Sequence, residues 1–263
     1  MDLGLSGKRA LVMGASKGLG RSVAEALAAE GVALVASGRE QGSLDAACEA
    51  LRALGAPSAT GIPADVGDGV SMDALADGAL AALGGGVDIL VLNHGGPPPG
   101  MAADLTEDAL TEWFRRIVLS PVRLANRLLP GMRARRWGRI LTVGSTGMVQ
   151  PLPNLALSNV LRAAMVGWNK TLSAEVAAEG VTCNVLAPGA IRTDRSLETA
   201  GAVARRTGQD VETVIAERAR TIPAGRYGLP GEFGPTAAFL ASDRAAYITG
   251  SVVRVDGGMV RGL

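Results

Sequence analysis

The sequence contains few of the residues that cross-link small proteins or bind metals. Its 263 residues include two cysteines, Cys48 and Cys183, and one histidine, His94. Two distant cysteines fit neither a disulfide framework nor a zinc spacing, so we expect packing cysteines, a reducing compartment and no metal site. Lys plus Arg number 26 and Asp plus Glu 25. This balance gives no general attraction to nucleic acid.

Long hydrophobic runs are also missing. No uncharged apolar run reaches the roughly 18 residues of a membrane span, and the first residues lack the apolar core of a signal peptide. We therefore expect a cytoplasmic protein with no membrane partner, whose partner is a small molecule. With 48% hydrophobic residues, the chain can bury a large core as one domain over residues 1–263.

Glycine, by contrast, is abundant near the amino terminus. An apolar run at 10–13 passes into Gly14, Gly18 and Gly20 and then into an Ala/Leu-rich segment with helical spacing. Backbone amides at a helix start can meet a phosphate only if no side chain stands between them. The spacing G-x-x-x-G-x-G differs from the G-x-G-x-x-G dinucleotide fingerprint, but the mechanism is the same. The stretch predicts a strand, a phosphate-binding turn and a helix.

Apolar strands and helices alternate along the chain, which predicts an α/β fold with a doubly wound parallel sheet flanked by helices. Such a fold binds ligands at the carboxyl ends of its strands. The predicted strands are 10–13, 31–39, 59–63, 87–92, 138–143, 181–186 and 251–255, and the predicted helices after the first are 44–54, 70–83, 106–135 and 157–179.

A polar, arginine-rich segment at about 191–227 interrupts this alternation after the penultimate strand. A segment this long outside the sheet is typical of an active-site lid, and we predict a helical lid insertion. Its arginines could bind a carboxylate or phosphopantetheine substrate, or could form a solvated helix face. They are Arg192, Arg195, Arg205, Arg206, Arg218 and Arg220.

Several motifs together resemble one family along nearly the whole chain. They are the glycine stretch 14–20, Asp65-Val66, Asn93-x-Gly95, the strand 137–140 leading to Gly144-Ser145, Asn184 with Pro188-Gly189 and Thr193, and 247–250 before Asp256-Gly257-Gly258. The sequence resembles the classical short-chain dehydrogenases/reductases, and runs 93–100 and 153–162 are similar to a divergent subgroup related to 3-oxoacyl-acyl-carrier-protein reductases. The resemblance implies a Rossmann-type sheet, a nicotinamide dinucleotide and a homotetramer or dimer.

The resemblance also implies positions for the cofactor. The glycines would lie at the pyrophosphate, Asp65 and Val66 at the adenine, Asn93 and Gly95 beside the ribose, and 188–193 near the nicotinamide. The complete expected set is Gly14, Ser16, Lys17, Gly18, Leu19, Gly20, Arg39, Asp65, Val66, Asn93, Gly95, Arg162, Pro188, Gly189, Ile191 and Thr193.

The choice of cofactor can be argued from charge. An acidic residue after the second strand would hold the ribose hydroxyls of NAD(H), whereas basic residues favour the extra phosphate of NADP(H). The chain has Arg39 at this point, Lys17 in the glycine loop and no acid from Ala36 to Arg39. NADP(H) is therefore predicted over NAD(H). The alternative is that both cations are solvated surface charges.

The family's catalytic group of Asn, Ser, Tyr and Lys is mostly replaced. Ser145 matches the serine, but Ser158 and Arg162 stand where Tyr-x-x-x-Lys is expected, and Ile117 stands in place of the asparagine. An aliphatic hydroxyl titrates far above tyrosine's pKa of about 10, so Ser158 is a poor acid. Arg162 stays charged and can bind ribose or an anion, but it cannot pass protons.

Three functions remain open at this stage. The first is an NADP(H)-dependent oxidoreductase in which Ser145 and Ser158 hold a carbonyl and Arg162 stabilises oxyanion charge. Its proton would come from water or from His94, whose unperturbed pKa suits the task, unless His94 is a loop residue bonded to backbone. The second is an NADP(H)-binding sensor or partner subunit without turnover. The third is the halohydrin dehalogenase branch, which has the arginine but keeps the tyrosine and loses the glycine loop.

Overall fold

Seven parallel strands form the centre of the structure, a computed structural model that describes residues 2–262. They stand in the order β3-β2-β1-β4-β5-β6-β7. The order reverses between β1 and β4, and a crevice opens there at the carboxyl ends of the strands. The strands are β1 Arg9–Met13, β2 Ala33–Gly38, β3 Ala59–Pro63, β4 Ile89–Leu92, β5 Gly138–Val143, β6 Val181–Pro188 and β7 Val252–Val255.

Helices cover both faces of the sheet, which explains why its central strands are apolar throughout. One core packs Leu27, Leu44 and Phe233 against the sheet, and the other packs Met72 and Leu128 against the opposite face. The α-helices of the described residues are α1 Gly18–Ala29, α2 Gln41–Ala53, α3 Gly69–Ala82, α4 Glu107–Phe114, α5 Ser120–Ala134, α6 Ala156–Val176, α7 Asp194–Thr207, α8 Val211–Arg220 and α9 Pro230–Ala241.

The fold class is confirmed, and two predicted strands, 59–63 and 138–143, have the predicted bounds. The long helical region predicted over 106–135 is also confirmed, since α4, a π-helical turn at Arg115–Leu119 and α5 follow one another without a break from Glu107 to Ala134.

Helix α9 was not predicted. Gly231, Gly234 and Pro235 lower its helix propensity, although Pro230 in the first turn fits a helix start. Gly234 is needed because a side chain there would collide with the backbone of Ser22 on α1. Tertiary packing therefore overrides the local preference.

Both cysteines are free and buried, as expected of packing residues. Burial raises the pKa of Cys183 to about 12, so its thiol is unreactive at neutral pH. Across residues 2–262, no cluster of three His, Cys, Asp or Glu side chains could hold a metal ion. None of the helices in that range is both long and apolar enough to cross a bilayer.

Candidate active site

The glycine loop joins β1 to α1 at the crevice, and two of its glycines serve close packing. A Cβ on Gly14 would lie 2.6 Å from Asn93 Nδ2, and one on Gly20 would collide with the Gly14 carbonyl oxygen. Gly14 also has a φ of +61°. These two positions need glycine so that the loop can close upon itself.

Gly18, unlike Gly14 and Gly20, is not closely packed. Its φ is +62°, and a Cβ there would have only the Thr193 side chain nearby, at 3.9 Å. Helix α1 begins at Gly18 with no side-chain cap and no acidic residue in its first turn. Its first N–H groups have no partner within the helix, and they form a site suited to an anion.

The end of β2 lies beside this loop, since the Ala15 N–H donates to the Ser37 carbonyl at 2.9 Å. Arg39 follows β2 and is exposed, with no salt bridge to another residue in 2–262. Lys17 Nζ lies 3.8 Å from Asp194 Oδ2, and both side chains are about two-thirds exposed. This pair is weak, so Lys17 remains available to another anion.

Asp65 and Val66 follow β3 and stabilise their own turn. The Asp65 carboxylate accepts from the Gly67 N–H at 2.8 Å and from Arg116 at 3.3 Å. The Val66 carbonyl accepts from the Ser120 hydroxyl at 2.6 Å. These bonds fix the loop beside the crevice, and the adenine contact stays a prediction.

The loop after β4 carries Asn93, His94 and Gly95. Asn93 Nδ2 donates to the Met13 carbonyl at 3.2 Å and thereby ties this loop to the glycine loop. His94 Nδ1 lies 2.9 Å from the Gly95 carbonyl, as the alternative interpretation of a backbone-bonded histidine requires.

The pKa of His94 lies below the ordinary histidine value on which its predicted catalytic role depends, and that role stays a prediction. Loss of hydration, together with the nearby Arg162 charge, lowers this pKa from 6.5 to about 4. His94 is therefore neutral at pH 7. Because a carbonyl only accepts, Nδ1 carries the proton, and the unprotonated Nε2 can only accept a hydrogen bond.

The remaining candidate catalytic residues lie after β5 and on α6. Ser145 follows this strand, and its Oγ accepts from the Gly147 N–H at 3.1 Å. Ser158 and Arg162 lie one turn apart on α6 and so share a face. Arg162 NH1 donates to the Val143 carbonyl at 2.8 Å, which attaches that face to the strand that carries Ser145.

Arg162 is 8% exposed, and burial lowers its pKa to about 10, with Arg195 contributing. The guanidinium is still charged at neutral pH. Ile117 is fully buried in the π-helical turn and packs in the core, so this position offers the crevice no polar side chain. A π-helical turn is frequent near functional sites, but here the side chain is apolar.

The segment after β6 completes the crevice. The Gly189 N–H donates to the Val255 carbonyl at 3.0 Å, and a Cβ on Gly189 would lie 2.7 Å from Asp256 Cα. Ile191 is buried and forms a bridge with Gly228. Thr193 caps α7 by accepting from the Ser196 N–H at 3.4 Å. Pro188 ends β6 at the same edge of the sheet.

The structure thus brings the glycine loop, Asn93, Ser145, Arg162 and Thr193 to one edge of the sheet. Sequence reasoning missed the structural role of Asn159, whose amide bonds both backbone groups of Leu152 and holds the loop before α6. It also grouped Arg195 with the other arginines of the 191–227 segment. Only the folded chain shows that Arg195 reaches the Pro97 carbonyl, at 3.0 Å.

A seven-stranded parallel sheet with a glycine loop at its switch point defines a dinucleotide-binding α/β protein. The family model described as "Enoyl-(Acyl carrier protein) reductase" matches residues 14–260. The chain belongs to the classical short-chain dehydrogenase/reductase family of NAD(P)-dependent oxidoreductases.

Similar proteins span the full chain. The 3-oxoacyl-[acyl-carrier-protein] reductase FabG of Escherichia coli (strain K12) is 35% identical over 259 residues, covering 98% of this chain and 99% of the relative. The structure of L-sorbose reductase from Gluconobacter frateurii, complexed with NADPH and L-sorbose, matches with a TM-score of 0.95 and 34% identity over 100% of both chains. An actinorhodin polyketide ketoreductase with NADPH matches with a TM-score of 0.90 and 29% identity, covering 96% and 97%.

Proposed function

We propose that this protein is an NADP(H)-dependent oxidoreductase that acts on a carbonyl or alcohol substrate through an atypical catalytic group. The observation that carries the proposal is the anion site at the start of α1, where Gly18 leaves open space and no side chain caps the helix. Solved relatives contain NADPH, which supports this cofactor. A bound nicotinamide cofactor supplies or accepts the hydride.

The residues of the crevice fit such a cofactor. The loop from Gly14 to Gly20, with Ser16 and Leu19, would hold the pyrophosphate through backbone N–H groups. Arg39 and Lys17 would hold the additional phosphate of NADP(H), since both are exposed cations beside the end of β2. The remaining predicted contacts would follow along the crevice, and they are Asp65, Val66, Asn93, Gly95, Arg162, Pro188, Gly189, Ile191 and Thr193.

The catalytic roles follow from what each side chain can donate. Ser145 and Ser158 would orient the substrate oxygen with their hydroxyls, and Arg162 would stabilise negative charge that develops on it. None of these groups is an efficient acid at pH 7. His94 is neutral and accepts at Nε2, so it would position a water molecule and not protonate the substrate. Water is then the proton source.

The second candidate is an NADP(H)-binding protein without turnover. The observation that favours it is the replacement of the family's Tyr and Lys by Ser158 and Arg162, together with the buried Ile117. The halohydrin dehalogenase branch remains a poor match because the glycine loop is intact.

One experiment separates the two main candidates. NADPH binding is measured together with NADPH oxidation across a panel of ketones, quinones and acyl thioesters. Turnover with a substrate supports the oxidoreductase, and tight binding without turnover supports the second candidate. The double variant Ser158→Tyr with Arg162→Lys should create or raise ketone reduction, whereas an unchanged rate would show that the substrate pocket itself is lost.

We also propose that the segment 191–227 acts as a lid. Helices α7 and α8 pack on each other through Ala200, Ala204 and Val214, outside the main cores. Backbone bonds from Gly228 to Ala190 and from Arg192 to Gly228 join the two ends of the segment, at 2.9 and 2.8 Å. The segment can therefore move as one unit. Hydrogen exchange of 191–227 should slow when NADPH and substrate bind.

The protein is further proposed to be a cytoplasmic homo-oligomer, a dimer or tetramer. Phe114, Leu119 and Val160 are 39, 51 and 52% exposed around an apolar groove between α4 and α6. An exposed apolar patch of this kind is typical of a subunit contact. Light scattering coupled to size exclusion measures the mass, and Phe114→Glu should shift it toward the monomer.

A further inference from the structure

Two guanidinium groups converge over Gly96, the second glycine after His94. An atom built at the Cβ position of Gly96 would lie 3.9 Å from NH2 of Arg162 and 3.9 Å from NH2 of Arg195. Arg162 comes from α6 and Arg195 from the first turn of α7, so two separate elements direct positive charge at one place. Gly96 has no side chain to fill that place.

No carboxylate offsets these charges. Arg162 and Arg195 form no salt bridge within residues 2–262, whereas Arg192, near Arg195 in the chain, has Glu212 at 3.6 Å. The hydrogen bonds of the pair are to carbonyls, those of Val143 and Pro97. Besides burial, the pKa of Arg162 is lowered by Arg195, and no acid acts against this repulsion.

Such an arrangement is unfavourable without an anion. Arg162 is buried, whereas Arg195 is exposed. A buried cation normally has a charged partner, and the nearby charge of Arg195 adds repulsion instead. His94, the other titratable group facing Arg162, is neutral at pH 7 and does not relieve the charge. The folded chain thus leaves a position where a bound oxyanion would accept hydrogen bonds from both arginines.

We propose that Arg162 and Arg195 form a binding site for an oxyanionic group of the substrate, a carboxylate or phosphate, seated over Gly96. The inference rests on the proposed oxidoreductase function, which makes this crevice the substrate site. The substrate class is then a carbonyl compound or alcohol that also carries a negatively charged group, close enough to the reacting oxygen for Arg162 to contact both. Arg195 would draw the lid onto such a substrate.

The test uses matched probes that differ in charge. Binding to the protein saturated with NADPH is measured calorimetrically for 4-oxopentanoate and its methyl ester, and for dihydroxyacetone phosphate and dihydroxyacetone. We expect the charged member of at least one pair to bind tenfold or more tightly than its neutral partner, and the favoured pair identifies the oxyanion. A protein without charge-dependent binding in either pair overturns the proposal.

Variants locate the effect. Arg195→Gln should weaken the charged probe about tenfold or more and leave the neutral probe within twofold, as expected for one charge-assisted hydrogen bond. Gly96→Val should do the same by filling the site. Gly96 does not have a positive φ, so its backbone conformation is open to valine. Arg205→Gln, an exposed arginine on the same helix, is the control and should change neither.

Three outcomes separate this proposal from its alternatives. If Arg195→Gln weakens NADPH and spares the charged probe, the anion belongs to the cofactor and the proposal fails. Charge-selective binding without NADPH oxidation keeps the anion site and rejects the oxidoreductase function. Turnover of neutral ketones without charge selectivity keeps the oxidoreductase function and rejects the anion site.

Discussion

Gly18 and Gly20 lie two residues apart in the same loop, yet their replacement by alanine should act differently. The change at Gly18 should act mainly on NADPH binding, and the change at Gly20 should disturb the packing of the loop itself. At Gly18 a methyl group has open space, with Thr193 Cγ2 as its nearest neighbour at 3.9 Å. The cost is the left-handed backbone, about 1 kcal/mol. For a chain of this size that corresponds to a fall in Tm of about 2–4 °C. Gly18→Ala should therefore fold.

Under the proposed function, the same methyl group would stand where the cofactor phosphate approaches. Losing one charge-assisted hydrogen bond from a backbone N–H weakens binding by about tenfold or more. We expect Gly18→Ala to lose NADPH affinity by at least that factor, measured by quenching of protein fluorescence, while its far-UV circular dichroism matches the wild type.

Gly20→Ala is the matched comparison. Its methyl group would collide with the Gly14 carbonyl oxygen and lie 2.6 Å from Asn93 Nδ2. Overpacking of this kind costs about 1–3 kcal/mol, partly offset by alanine's better helix propensity. Stability and NADPH affinity should fall together. The reasoning fails if Gly18→Ala binds NADPH within twofold of the wild type, or if Gly20→Ala is as stable as the wild type.

Three further perturbations test separate parts of the structure. Arg39→Ala should weaken NADPH about tenfold or more and leave NADH within twofold; equal losses for both cofactors contradict the assignment of Arg39 to the phosphate. Asp88 is 6% exposed, and although burial raises its pKa, the bonds and charges of Arg9 and Arg135 outweigh this and lower the pKa below its usual value. The contribution of Asp88 is therefore present above the unfolded pKa and is lost as pH falls through the folded one. Asp88→Asn should cost about 2 kcal/mol in urea unfolding at pH 7, as for the loss of hydrogen bonds to a charged group, and the difference should vanish in strong acid; an equal deficit at both pH values refutes this. The folded pKa of His94 is depressed from 6.5 to about 4, so the wild type should lose stability as pH falls between these values, and His94→Asn should lose less; parallel pH curves contradict it.

The fold was predictable because its signals are local. Strands buried on both faces are continuous apolar runs, and the loop from Gly14 to Gly20 shows a strand-to-helix turn without reference to the rest of the chain. Helix α9 was missed for the converse reason. Gly234 lowers the local helix propensity of α9, and a glycine is required there because α9 packs closely on Ser22. Likewise, nothing in the sequence near Ile117 marks the π-helical turn.

The sequence predicted which residues lie at the candidate site, but it did not predict their protonation states or their contacts. Ser145 and Arg162 lie at the edge that the motifs indicated, because strand order fixes which loops meet. The state of His94 depends on the approach of Arg162 from another helix, and this cannot be obtained from spacing. The convergence of Arg162 and Arg195 on Gly96 depends on how the segment 191–227 packs against the loop after β4.

The first turn of α7 touches both halves of the crevice. Thr193 and Asp194 face Gly18 and Lys17, while Arg195 reaches the Pro97 carbonyl on the other side. A ligand that shifts this turn on one side must alter contacts on the other. Thermodynamic linkage then makes the effect reciprocal: a substrate that tightens cofactor binding by some factor has its own binding tightened by the same factor. Three consecutive residues thus connect the affinities of the two ligand sites that we propose.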